Sequence, residues 1–167
     1  FCSVFYPEAV DFLESIGVKR YKIASRTCIL KDPLSIETLS AVNQTKKPTI
    51  VSMGMGGNKK NIEKALSKNQ VKFLYCISQY PLKINKIDWK FAVKHSGFSD
   101  HTLGITAPLI FTTLMKFHKQ KQIIIEKHVK LEHSKSLDAS TSIDTDQLKK
   151  LNQSLRDIEK IKKVFLM

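Results

Sequence analysis

The chain has 167 residues, 42% of them hydrophobic, and a formal net charge of +13. That length allows one domain with a real core, and the composition excludes collagenous, disordered and membrane-embedded classes. The longest apolar stretch, Ile105 to Met115, is too short for a bilayer and is interrupted by Pro108 and by threonines.

Short apolar, β-branched runs alternate with longer helical stretches along the chain. The first run is Phe1 to Phe5, followed by a helix from Pro7 to Ile16 that Gly17 stops. Tyr21 to Ala24 is the second run, and a helix follows Pro33 through about Val42. The third run, Thr49 to Ser52, leads into the glycine-rich loop Gly54 to Gly57, and Asn58 caps a helix through Leu66. Val71 to Ile77 and Gly97 to Ser99 are the fourth and fifth runs. A helix covers Ala107 to Lys119, and Gln122 to Glu126 is the sixth run. Asp144 or Thr145 caps a last helix through about Val164. Runs recur roughly every 25 residues, the length of one βα unit that returns the chain to start a parallel strand. The expectation is an α/β fold of about six βα units, either an open doubly wound sheet or an incomplete (β/α)8 barrel.

The basic residues are scattered lysines, with only three arginines and no aromatic-interleaved stripe. That pattern reads as a solvated lysine surface and speaks against nucleic-acid recognition. Three cysteines, Cys2, Cys28 and Cys76, lack CxxC spacing. They suggest small buried hydrophobes in a reducing cytoplasm rather than a disulfide framework or a zinc site. The chain opens without Met and without a basic leader, so a start farther upstream is expected.

Chemistry-bearing side chains stand at or just past nearly every strand: Ser3, Lys22 with Ser25, Ser52, Ser78 with Tyr80, Ser99 with His101, and His128. In a parallel βα barrel the strand ends are where active sites are built. Lys22, inside an apolar run, suits an anion or a Schiff base. Ser25, Ser52 and Ser99 follow strands, where hydroxyls and backbone amides cradle phosphate. His101 and His128 end adjacent units and can share one divalent metal, with Asp100 and Glu126 as partners that orient their rings. The loop Met53-Gly54-Met55-Gly56-Gly57 is neither a P-loop nor a dinucleotide fingerprint.

Taken together, several strings resemble the sialic acid synthase family, which includes the N-acetylneuraminate, legionaminic and pseudaminic acid synthases. They are Pro-Glu-Ala-Val-Asp-Phe-Leu-Glu-Ser-Ile-Gly-Val (7–18), Tyr-Lys-Ile-Ala-Ser (21–25), Lys-Pro-Thr-Ile-Val-Ser-Met-Gly-Met (47–55), Tyr-Pro (80–81), Gly-Phe-Ser-Asp-His-Thr-Leu-Gly (97–104) and Glu-Lys-His (126–128). The resemblance implies a (β/α)8 barrel entered at its third strand, with the first two strands and the C-terminal antifreeze-like domain absent, so that residues 1–167 form a partial barrel domain. It implies condensation of phosphoenolpyruvate with an N-acetylmannosamine-type aldehyde, giving a nonulosonic acid and phosphate, in an enzyme that is a homodimer when full-length. Lys22, Ser25, Ser52 and Ser99 match residues that hold phosphoenolpyruvate. His101 and His128 match ligands of a divalent cation, usually manganese, with magnesium as the alternative. Tyr80 and Asp138 match residues that contact the amino sugar, and Ser78, which stands where the family commonly has a polar amide, is grouped with the substrate-binding residues. Val4, Arg26-Thr27, Tyr75-Cys76-Ile77 and the shortened loop before Asp138 depart from the family pattern and bear on sugar specificity. The rival readings are a related phosphoenolpyruvate-condensing 3-deoxy-sugar-acid synthase and a non-catalytic basic binding module.

Overall fold

The computed structural model describes residues 1–135 and 137–161. The chain divides into two compact units, Phe1–Cys76 and Ile77–Met167.

In the first unit the order is β1 (Cys2–Ser3), α1 (Pro7–Ser15), β2 (Tyr21–Ile23), α2 (Pro33–Thr45), β3 (Thr49–Ser52), α3 (Lys59–Ala65) and β4 (Val71–Cys76). The strands pair in parallel in chain order, with Cys2 opposite Tyr21, Tyr21 opposite Thr49 and Thr49 opposite Val71. Each crossover is a helix, the connection that parallel neighbours need. Proline opens α1 and α2, where no amide is lost, and Asp32 caps α2 by accepting the Ser35 amide at 2.7 Å. Asn58 caps α3 through the Asn61 amide, at 3.2 Å. Gly17 ends α1 at φ +73°, a conformation that costs other residues more.

The pleat sorts the side chains of this unit. Tyr21, Ile23 and Val51 face the helices and join Val10, Leu13, Leu39, Val42, Ile62 and Leu66 in one buried cluster. Burying each such aliphatic side chain contributes roughly 1.5–3 kcal/mol. Lys22 and Ile50 are register partners between those apolar positions, so they point to the opposite face. Ser52, two residues on from Ile50, shares that face. The first strand is shorter than the expected run Phe1–Phe5, and Phe1 and Phe5 are exposed. Cys28 and Cys76 are buried as expected, whereas Cys2 lies exposed on β1.

The second unit contains α4 (Trp89–Ala92), β5 (Gly97–Asp100), α5 (Thr106–Phe117), β6 (Ile124–Lys127) and α6 (Thr145–Lys160). β5 and β6 are parallel, from Gly97 opposite Ile124 to Asp100 opposite Lys127. Phe98 is fully buried between Trp89 and Phe111, with ring centroids 6.4 and 5.4 Å away. That contact fixes which face of β5 meets α5. The short helix α4 is absent from the sequence expectation, because four residues carry no periodicity to read. Asp144 and Gln147 form a reciprocal capping box at the start of α6. The last helix expected through Val164 is described to Lys160; residues 162–167 lie outside the described residues. No helix among the described residues is long and apolar enough to cross a membrane.

Candidate functional site

In the first unit, the polar side chains of the face away from the helices gather after β2 and β3. Lys22 is 4% exposed, and its Nζ lies 3.3 Å from the Ile23 carbonyl oxygen. A lysine so deeply buried is uncommon without a role. Ser25 Oγ accepts the Gly54 amide at 2.8 Å and lies 3.6 Å from Cys76 Sγ. The Cys28 thiol donates to the Ser52 carbonyl at 3.4 Å. Burial pushes this thiol up to about 12, against the nearby Lys22 charge that favours the thiolate. Gly57 runs so close to Cys28 that a Cβ there would sit 2.5 Å from the Cys28 carbonyl oxygen. The glycine-rich loop after β3 is therefore held against the turn after β2 at two points, Gly54–Ser25 and Gly57–Cys28. Ser52 is buried, and its Oγ has no hydrogen-bond partner among the described residues. A cationic side chain with buried hydroxyls, one of them unsatisfied, suits a small anion.

In the second unit the pleat puts Phe98 and Asp100 on the face toward α5. Ser99 and His101 lie on the other face, and Glu126 and His128 fall in register beside them. His101 is 3% exposed, with its ring 5.4 Å from that of His128 by centroids. Two imidazoles on one divalent ion, with metal–nitrogen distances of about 2.0–2.1 Å, have centroids roughly 5 Å apart. His101 Nδ1 lies 2.8 Å from the Ile77 carbonyl oxygen, so Nδ1 carries the proton and Nε2 keeps its lone pair. Burial, more than the neighbouring His128, holds the His101 pKa below the usual histidine value and keeps the ring neutral. A neutral ring with one nitrogen committed to a carbonyl is the form that binds a metal. The donor set thus fits a divalent cation, though two imidazoles leave the other positions to water or substrate. Among the described residues no group of three or more His, Cys, Asp or Glu is placed to hold a metal.

The Tyr80 ring lies tilted over that of His101, centroids 4.1 Å apart, and meets His128 edge-on at 6.0 Å, while the residue stays 45% exposed. Asp138 Oδ2 is 3.7 Å from His128 Nδ1. The Asp138 carbonyl accepts from the Thr141 and Ser142 amides and from both their hydroxyls, which fixes the loop that presents it. Ser99 is buried and Ser78 is half-buried. The structure thus brings Tyr80, His101, His128 and Asp138 together in this unit, and groups Lys22, Ser25 and Ser52 on elements of the other.

Asp100 differs from its expected part as a ring-orienting partner. Its carboxylate faces away from the histidines, binding Lys127 Nζ through Oδ2 at 2.8 Å and the Thr102 amide through Oδ1 at 2.8 Å. Lys127 was not singled out in the sequence. Its signal is there in retrospect, because Asp100 and Lys127 are 27 positions apart, as are His101 and His128 (127 − 100 and 128 − 101).

Residues 1–165 match the NeuB family. The chain belongs to that family. Curated relatives include a pseudaminic acid synthase of Helicobacter pylori, 29% identical over 93% of this chain and 46% of its own. A pseudaminic acid synthase of Campylobacter jejuni is 31% identical over 95% of this chain and 47% of its own. An N,N'-diacetyllegionaminic acid synthase of Legionella pneumophila is 29% identical, over 94% and 46%. The chain therefore spans about half the length of the curated relatives it matches. Among solved structures, the spore coat polysaccharide biosynthesis protein spsE of Bacillus subtilis superposes with a TM-score of 0.77 at 23% identity, over 98% of this chain and 47% of that one. That likeness shows the fold class, α/β of the incomplete (β/α)8 type.

Proposed function

We propose that this NeuB-family chain carries catalytic residues of an enzyme that condenses phosphoenolpyruvate with an N-acetylated amino-sugar aldehyde. The products would be a nonulosonic, sialic-type acid and phosphate. The observation that carries the reading is the histidine pair, with rings 5.4 Å apart and the buried member neutral and hydrogen-bonded through Nδ1. Relatives named pseudaminic and legionaminic acid synthases support it.

Lys22, Ser25, Ser52 and Ser99 hold the phosphate and carboxylate of phosphoenolpyruvate. An ammonium and several hydroxyls suit those two anionic groups and orient the enol carbon, C3, for attack. Tyr80 and Asp138 bind the amino sugar, with Tyr80 offering an apolar ring face to it, and Ser78 is a further substrate contact. His101 and His128 hold a divalent cation, manganese or magnesium, which when bound polarises the aldehyde oxygen as a Lewis acid. The reaction forms a bond between C3 of phosphoenolpyruvate and the aldehyde carbon, whose oxygen becomes a hydroxyl. Water then adds at C2, and loss of phosphate from that carbon leaves the ketone. In this reading the full-length enzyme is a homodimer, as the family resemblance implies, and works in the reducing cytoplasm that the cysteine pattern suggests.

Titration of the folded chain with manganese, carried to millimolar concentration, tests the proposal. Binding at one site, lost in both His101→Ala and His128→Ala, is the expected result. A folded chain that takes up no manganese would sink the shared-metal site, and salt-sensitive binding to polyanions instead would favour a basic binding module.

A further inference from the structure

We infer that Asp100 and Lys127 form a clamp that positions His101 relative to His128; the inference rests on the metal site proposed above. The two side chains are 0% and 3% exposed, although the backbone leaves Lys127 as a residue only half-buried. They are register partners at the last positions of β5 and β6, and each immediately precedes one of the histidines. Because successive strand residues face opposite ways, the ion pair lies behind the histidine pair and touches neither ring.

What it grips is the backbone around His101. Asp100 Oδ1 accepts the Thr102 amide at 2.8 Å, and Lys127 Nζ donates both to Asp100 Oδ2 and to the Thr102 carbonyl. The residue after His101 is thus held at both its N–H and its C=O, and the residue before it through its carboxylate. The holds on the Thr102 carbonyl and the Asp100 carboxylate run to Lys127 at the end of β6, while the Thr102 N–H is held within its own segment by Asp100. On its other side, the His101 carbonyl accepts the Leu82 amide at 2.8 Å, and the ring is tied to Ile77. The His101 backbone is therefore restrained on both sides and its ring through Nδ1, and the ion pair adds a side-chain restraint toward β6 beside the strand pairing.

Thermodynamics argues for a positioning role over a stabilising one. A buried ion pair loses the hydration of both charges, and replacement by apolar groups of similar volume is often neutral or stabilising. Such pairs are best attested as devices that fix register. This one sits where register sets the distance between two candidate ligands, a tolerance that metal sites enforce to within a few tenths of an ångström.

The test is the double variant Asp100→Asn/Lys127→Met in the 167-residue chain, read in three ways. Thermal unfolding reports the fold, amide hydrogen exchange reports the Thr102 N–H, and manganese titration reports the ligand geometry. The clamp predicts a melting temperature close to that of the parent chain, Thr102 exchange at least tenfold faster with the amides of β2 and β3 unchanged, and manganese affinity reduced at least tenfold. A double variant that folds and keeps both the Thr102 protection and the manganese affinity of the parent overturns the inference. Should the double variant fail to fold, Asp100→Asn alone, which keeps an oxygen for the Thr102 amide and removes only the charge, decides by the manganese titration. If the parent chain binds no manganese, the proposed function fails, and the clamp stands or falls on the Thr102 exchange alone.

Discussion

Ser25 and Ser52 are proposed to hold the same anion, yet their removal should move stability in opposite directions. Ser52 Oγ is buried with no hydrogen-bond partner among the described residues. A buried hydroxyl in that state costs about 1–3 kcal/mol. Ser52→Ala removes the cost and leaves a void of a single oxygen, so a net gain of roughly 0.5–2 kcal/mol is expected. At about 2–4 °C per kcal/mol for a chain of this size, the melting temperature rises by roughly 1–8 °C. Ser25 Oγ instead accepts the Gly54 amide. Ser25→Ala strands that amide, but Gly54 is only half-buried and water can reach it, so a loss of about 1 kcal/mol, or 2–4 °C, is expected. Both variants should weaken phosphoenolpyruvate binding. A lost hydrogen bond to a charged group, about 1.5–3 kcal/mol, corresponds to roughly tenfold to 150-fold. Thermal unfolding paired with calorimetric titration of phosphoenolpyruvate reads both quantities. If Ser52→Ala lowers the melting temperature and leaves phosphoenolpyruvate affinity unchanged, the hydroxyl is structural and the anion-binding reading of the first unit is wrong.

Two further outcomes follow from the titratable groups of the first unit. Glu14 accepts from Lys47 Nζ at 2.7 Å and from the buried Tyr21 hydroxyl at 2.5 Å, and these bonds, Lys47 first, hold its carboxyl below the usual glutamate value. A depressed carboxyl contributes stability above its unfolded pKa, about 4.3, and loses it as pH falls through the folded value. Because the Glu14 side chain is 36% exposed, the effect is at most about 1 kcal/mol. Glu14→Gln should flatten that acid limb in melts between roughly pH 5 and 3; an unchanged limb would show that other carboxylates control it. The Tyr21 hydroxyl, raised by burial and then by Glu14, adds the opposite dependence, with stability lost as pH rises above the ordinary tyrosine range near 10. For the thiols, exposed Cys2 should react with a disulfide reagent at pH 8 at once, while buried Cys28, pushed up to about 12, should stay unreacted until the protein unfolds. Equal rates at Cys2 and Cys28 in the native chain would contradict the packing around Ser52 and Gly57.

The sequence showed the strands and helices that have enough length to carry a period. It also showed the helix starts, because Pro7, Pro33, Asn58 and Asp144 act locally. It placed His101 and His128 at neighbouring strand ends, since a repeat of one βα unit makes successive strands parallel neighbours. It misplaced Asp100, which binds Lys127 and Thr102 rather than a histidine ring. The reason is the pleat: a residue next to a ligand in a strand points away from it, and spacing along the chain does not say which face it takes. Lys127 went unread because a lysine beside a glutamate and a histidine looks like a solvated charge until the partner strand is known. The turn that Gly57 makes against Cys28 was also hidden, since close approach is a property of two segments and glycine in a loop has many uses.

The same burial acts on both clusters, and in each it favours the neutral form of one group. In the first unit it keeps the Cys28 thiol protonated beside Lys22, so no thiolate competes with an incoming anion for the lysine's charge. In the second it keeps His101 neutral, so a lone pair stays available for a cation. Desolvation alone would produce both shifts in any core. What separates these clusters from satisfied core polar groups is direction. The Ser52 hydroxyl is left without a partner among the described residues, and the Nδ1 of His101 is bound to a carbonyl while its other nitrogen keeps its lone pair. A core that only needed to fold would have paired or replaced the Ser52 hydroxyl.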